Sequence, residues 1–198
     1  MLIVLPRPSN ARLRRQLSSN VRPRNFPKQH SQIKNAFTTG SRTDEEVMPK
    51  IDVSAIPVLI GAGYPAPLNA ACAERTRRRL GDAGGLRDFG VNFMTLPPGR
   101  WSSQRHWHSR EDEFVYVLEG ELTLVEDEGQ TVLQPGDCAA FAKGSGNGHH
   151  LKNLGSKVAV YLEVGSRQPD DLTTCSDIDL MSNNRDGAFV RKDGRPYP

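Results

Sequence analysis

Between residues 75 and 164 the apolar positions fall in short alternating runs, each cut off by turn-forming residues. Candidate strands span residues 75–80, 89–96, 113–118, 121–125, 131–133, 137–141, 148–153 and 158–164. The breaks carry the glycine cluster at 81–85, then Glu119-Gly120, residues 126–129, Pro135-Gly136 and residues 153–155. Proline presets φ for a turn and the glycine after it takes the positive-φ corner, so Pro135-Gly136 reads as a type II turn. Strands of this length at this spacing predict an all-β sandwich or barrel. Helical periodicity never runs beyond two turns. In residues 113–118, Glu113, Val115 and Val117 share one face, while Phe114, Tyr116 and Leu118 share the other. A strand apolar on both faces is expected inside a packed two-sheet structure.

The flanks have a different character. Residues 48–70 contain Pro57, Pro65 and Pro67, which exclude a long helix or a central strand. They read as an extended N-terminal arm lying over a barrel edge or a partner subunit. Past residue 164 the chain is polar and loop-like, with a late strand at 189–191, and 166–198 reads as a C-terminal arm. The barrel itself is assigned to 71–165.

Charge separates the first segment from the rest. Residues 1–43 hold nine Arg or Lys and no acid, and from Met48 onward 17 basic residues face 20 acidic ones, so the net charge of +3 conceals an acidic domain behind a basic tail. Residues 1–47 lack the apolar content needed to offset ordering entropy and read as disordered. Three readings compete for them: a phosphate-attracting arm, an Arg- and Ser-rich targeting segment, and an extension without function ahead of a start at Met48. No nucleic-acid partner is expected from the barrel.

Cys72, Cys138 and Cys175 are odd in number and include no CxxC pair. That pattern argues against a disulfide framework or a thiolate zinc site and fits a reduced, cytoplasmic protein. The apolar runs at 115–118 and 158–162 are far too short to span a bilayer, and no membrane partner is expected. The glycines at 81–85 lack the Lys-Ser/Thr of a phosphate loop, so they read as an ordinary loop.

Candidate chemistry is concentrated in two stretches. His106 and His108 are two apart, so on a strand their imidazoles project to one side with Trp107 on the other. Four intervening residues let the chain reverse and bring Glu113 beside them. Two imidazoles and a carboxylate suit Zn, Fe, Mn, Co, Ni or Cu rather than Ca or Mg. A fourth donor is expected from the His149-His150 doublet. Strand parity groups His149 with Leu151 and Asn153, and His150 with Lys152, whose amine favours solvent. His149 is therefore the expected ligand, with His150 the alternative. Trp101 and Trp107 read as packing residues, Glu111 and Asp112 as a solvated turn, and Asp137 as a turn residue. Arg100 and Arg105 flank the site and are candidates for a substrate carboxylate or for simple solvation.

These stretches resemble the paired motifs of the cupin superfamily, most of all its bacterial single-domain members. The first, running from Gly99 through His106, His108 and Glu113 to Gly120, is highly specific. The second runs from Gly136 through Ala142, Lys143 and Gly144 to His149 and Asn153, with Ala142 where proline is usual and a loop two residues longer before His149. The resemblance implies an all-β, double-stranded β-helix (jelly-roll) barrel with N- and C-terminal arms. It also implies one divalent transition metal held by His106, His108, Glu113 and His149. Cupins include isomerases, decarboxylases, dioxygenases and proteins without catalysis. The expected function is a metal-dependent enzyme acting on a small polar metabolite, an organic acid or sugar-like molecule, in the barrel mouth. The alternative is a non-catalytic, metal- or ligand-binding regulatory protein. A homodimer is the expected assembly.

Overall fold

The computed structural model describes residues 50–183 and 187–197; the readings offered for residues 1–47 lie outside them. In chain order the strands are β1 (Leu59–Ile60), β2 (Thr76–Arg79), β3 (Phe89–Leu96), β4 (His106–His108), β5 (Glu113–Glu119), β6 (Leu122–Glu126) and β7 (Gly129–Leu133). They continue as β8 (Cys138–Phe141), β9 (His150–Lys152), β10 (Ala159–Ser166), β11 (Leu172–Cys175), β12 (Met181–Asn183) and β13 (Phe189–Val190). Part of the predicted glycine loop closes a single helical turn, α1 (Leu80–Ala83). Among the described residues no helix is long and apolar enough to cross a membrane.

One layer is a six-stranded antiparallel sheet in the order β1-β2-β3-β10-β5-β8. The other is built from β13-β12-β11-β4 and β7-β6-β9, joined by backbone bridges from His106 to His149 and from Trp101 to Lys152. This is the double-stranded β-helix that the motifs imply. Between the layers lies a core of Met94, Leu96, Val115, Val117, Leu122, Leu124, Leu133, Leu151, Ala159 and Tyr161. Burying each large aliphatic side chain contributes roughly 1.5–3 kcal/mol.

Register explains how the six-stranded sheet makes both a core and a site. Arg77 pairs with Met94, Met94 with Tyr161 and Tyr161 with Val117. One step along the same face, Arg79 pairs with Asn92, Asn92 with Glu163 and Glu163 with Val115. A further step brings Gly90, Gly165 and Glu113 into line. Residues two apart share a face, so the inner surface is apolar at one end and polar at the other. The polar end is the barrel mouth.

Two expectations need correction. Phe114, Tyr116 and Leu118 are not covered by a second layer; they are 38–39% exposed on the outer face of β5. Secondly, residues past 164 are not loop-like throughout. β11 pairs with β4, setting Thr173 against His108, Thr174 against Trp107 and Cys175 against His106. A four-residue strand among polar neighbours has too short a period to be legible, and its partner strand decides its conformation. The N-terminal arm contributes β1, which adds an edge to β2 through Leu59 and Ile60. Arg75 holds that arm by donating to the Gly61 and Ser102 carbonyls.

Two motif residues serve the backbone. Asn153 is fully buried, donating to the Leu96 and Lys157 carbonyls at 2.7 and 2.8 Å and accepting from Gly155 N–H at 3.0 Å. Gly120 has φ of 74°, and a Cβ there would stand 2.7 Å from the Val158 carbonyl oxygen. Gly120→Ala is therefore expected to destabilise the fold by about 2–4 kcal/mol, from left-handed strain plus the backbone clash. Chemical denaturation should register it as a lower midpoint with an unchanged slope.

Candidate metal centre

The mouth is assembled from four places in the chain. His106 and His108 project together from β4, and Glu113 begins β5. His149 enters by its backbone bridge to His106, with mutual N–H to carbonyl bonds at 2.9 and 3.1 Å. Their side-chain atoms converge on Glu113 Oε2, which lies 3.0 Å from His149 Nε2, 3.4 Å from His108 Nε2 and 3.9 Å from His106 Nε2. His106, His108 and Glu113 are close enough to hold one ion between them.

Hydrogen bonding fixes which nitrogens carry lone pairs. His106 Nδ1 lies 2.8 Å from the Gln104 carbonyl, which only accepts, so that nitrogen bears the proton. His108 Nδ1 lies 2.6 Å from Asp171 Oδ2 and donates likewise. Each ring thus turns an unprotonated Nε2 inward. His149 is held differently, its ring stacked on Phe141 with centroids 3.5 Å apart and planes within 1°. Among the described residues its Nδ1 is buried without a hydrogen-bond partner, as is Glu113 Oε2. The 3.0 Å approach of His149 Nε2 to Glu113 Oε2 therefore lies outside hydrogen-bond geometry. Lone pairs facing a buried carboxylate oxygen form a set of acceptors with too few protons, and a cation satisfies such a set.

Titration behaviour follows the same geometry. Burial would raise Glu113, but the His149 contact and the charges of His108 and His106 hold it down to about 2. Burial lowers His106 to about 4 against the pull of Glu113. At His108 burial acts downward too, yet Glu113 and Asp171 outweigh it and the net shift is upward.

His150 faces elsewhere. Its Nδ1 meets the Ser103 carbonyl at 3.0 Å, its ring meets Trp101 edge-on at 4.9 Å, and burial lowers it to about 4. Lys152 lies on the same side, with its ammonium 4.2 Å above the Trp101 ring. The structure thus turns the two histidines of the doublet to different surroundings, His149 toward Glu113 and His150 buried under Trp101 rather than near solvent. The lengthened loop before His149 is pinned at Gly148, where a Cβ would fall 2.0 Å from Ser176 Oγ.

Asp171 is the participant that motif reasoning missed. It is fully buried and accepts from His108 Nδ1, from Ser109 Oγ at 3.1 Å and from Arg110 N–H at 2.7 Å. No spacing rule flags a single aspartate 63 residues after its histidine. Glu111 was expected in a solvated turn, but its side chain is only 12% exposed. It accepts from Gln168 N–H at 2.6 Å and lies 3.8 Å from His108 Nδ1. Asp112 stays on the surface, accepting from Lys143 N–H at 2.9 Å. Both flanking arginines have protein partners: Arg100 with Glu74, and Arg105 with Asp127 and, through Nε, both oxygens of Asp177.

Two cavities open at the polar end of the sheet. One of about 300 Å³ is bordered by His106, His108, Glu113, Arg77, Glu163 and Tyr64. The second, of about 360 Å³, is bordered by Arg77, Asn92, Glu113, Glu163 and Arg167. A void of about 20 Å³ lies deeper, walled by His149, Phe141, Glu163 and Tyr161, whose buried hydroxyl has no partner. A larger groove of about 790 Å³ runs beneath the arm past Ile51, Ile56 and Leu59, away from the histidines.

Comparison with known proteins agrees with this architecture. The family model for the cupin domain matches residues 92–165. A sugar phosphate isomerase of the cupin superfamily from Silicibacter pomeroyi is 49% identical, covering 76% of this chain and 97% of its own, with a TM-score of 0.72. A protein from Acidithiobacillus ferrooxidans, provisionally named a sugar phosphate isomerase, is 32% identical over 67% of this chain and 85% of its own, with a TM-score of 0.59. The polyketide cyclase RemF from Streptomyces resistomycificus, 22% identical over 63% of this chain and 83% of its own with a TM-score of 0.52, shares the fold. A search of curated proteins returns no match. With the fold, both motifs and these relatives in agreement, the chain belongs to the cupin superfamily.

Proposed function

We propose that His106, His108, Glu113 and His149 hold one divalent transition metal, and that the loaded site is an enzyme acting on a small sugar-like or acidic metabolite in the mouth. The observation that carries this reading is the convergence of three imidazole Nε2 atoms on a buried carboxylate oxygen lacking a hydrogen-bond partner. Two similar structures bearing the name sugar phosphate isomerase favour a sugar-like substrate and a proton-shift reaction. A bound Zn, Fe, Mn or Ni ion supplies Lewis-acid polarisation of a substrate oxygen. Asp171 orients His108 and raises its basicity, as carboxylates behind metal-binding imidazoles do. The three free cysteines, two of them buried, support a cytoplasmic setting.

Proton movement falls to Glu163. Its carboxylate borders both mouth cavities and the deep void. Asn92 Nδ2 donates to its Oε1 at 2.9 Å and fixes its orientation. In this reading Glu163 takes a proton from the hydroxyl-bearing carbon beside the substrate carbonyl and returns it to the carbonyl carbon, while the hydroxyl proton passes to the former carbonyl oxygen, so that hydroxyl and carbonyl exchange places.

Purified protein should carry about one metal per chain by elemental analysis. Glu113→Gln and His149→Ala should lose most of it, while His150→Ala should keep it. Asp171→Asn should weaken affinity by roughly 10–100-fold. Metal retained by Glu113→Gln and His149→Ala alike would sink the ligand assignment. For catalysis, the metal-loaded protein in deuterated water should introduce deuterium into members of an aldose and ketose phosphate panel. Glu163→Gln should slow that exchange roughly 10²–10⁴-fold with metal content intact; a small change would remove Glu163 from the chemistry.

A homodimer is the proposed assembly, supported by the apolar stripe of Phe114, Tyr116 and Leu118 exposed on β5. Sedimentation should give a dimer mass for the wild type and a monomer mass for Tyr116→Glu. A wild-type monomer at micromolar concentration would count against this face as an interface.

A further inference from the structure

Resting on the reading of the mouth as a substrate site, we propose that Arg77 anchors an anionic group of the substrate, a phosphate or a carboxylate, while the rest of the molecule reaches the histidine cluster. Arg77 sits on the inner face of β2 and borders both mouth cavities. Three steps across the sheet separate β2 from β5, about 14 Å at roughly 4.8 Å per strand. Side chains from both strands narrow that gap to the span of a small metabolite.

What distinguishes Arg77 is that, among the described residues, no protein group hydrogen-bonds or ion-pairs with it. Among the described residues, the other arginines bordering these cavities all have partners. Arg75 donates to the Gly61 and Ser102 carbonyls, and Arg79 and Arg167 share Asp82. The Arg77 guanidinium has neither hydrogen bond nor ion pair with any described residue, and Glu163 and Asp82 act on it only through longer-range charge. The bordering carboxylates are already committed: Asp82 to its two arginines, Glu111 to Gln168 N–H, Glu113 to the histidines and Glu163 to Asn92.

The local field adds to this. Burial, Arg75 and Arg79 all disfavour the charge on Arg77, and Glu163 and Asp82 offset them only in part. An arriving oxyanion relieves that positive excess, and the planar fork of a guanidinium pairs with two oxygens at once. Arg100 and Arg105, the candidates flanking the first motif, cannot take this role because each is held by carboxylates of the protein.

Calorimetric titration of the metal-loaded protein with inorganic phosphate and, separately, acetate tests the proposal. The wild type should bind at least one; phosphate alone indicates a phosphorylated substrate and acetate alone an organic acid. Arg77→Ala should weaken that binding at least tenfold with metal content unchanged. Arg77→Lys, which keeps the charge but loses the fork, should fall between, and it carries the test if the alanine variant does not fold. Arg100→Ala should bind as the wild type does. Undiminished binding in both Arg77 variants, or no binding of either anion by the wild type, overturns the proposal. A chain that takes up no metal yet loses anion binding at Arg77→Ala would overturn the metal reading and leave the anchor standing.

Discussion

A carboxylate taken out of water must find compensating charge close by, and that requirement governs the mouth of this barrel. Glu113 opens β5 at the rim of the core, walled by histidines on one side and by Glu163 and Gly165 on the other. Leaving such a group without a partner costs several kcal/mol. Here the compensation comes from two segments at once, since His106 and His108 ride on β4 and His149, just ahead of β9, is bridged to it. Any shift of those strands by one residue would turn the imidazoles to the opposite face. The backbone bridge between His106 and His149 and the pairing of β11 with β4 hold the register that the charge needs.

The same sheet face builds the core and the site without a change of element. From Leu96, Met94, Ala159 and Tyr161 it passes to Asn92, Glu163 and Glu113 within a few residues along each strand. A rigid apolar base thus fixes the polar side chains above it. Gly90 and Gly165, in register with Glu113, leave the rim without side chains. The cavity there owes part of its room to the side chains these two glycines lack.

Alternation, turns and the spacing of His106, His108 and Glu113 made the fold and three of the clustered side chains legible in the sequence. Parity alone selected His149 over His150, because adjacent residues on a strand face opposite ways. What escaped was non-local. Asp171 lies in a stretch with no motif, and only the pairing of β11 with β4 brings it to His108. Arg77 sits among four arginines between residues 75 and 79, of which Arg75, Arg77 and Arg79 share a face, yet nothing in that stretch says that Arg75 would be tied to carbonyls and Arg77 left open. The expectation of cover over Phe114, Tyr116 and Leu118 failed for a related reason: apolar alternation reports which residues favour burial, not which surface of the chain does the burying.

The pairing of β11 with β4 also orders events in time. The ribosome finishes β4 more than sixty residues before the strand that buttresses it, and Asp171 emerges with that later strand. A nascent chain carries its histidines for several seconds, at roughly 5–20 residues per second, before Asp171 can steady His108. During synthesis the imidazole of His108 thus goes without its buried carboxylate partner until β11 emerges.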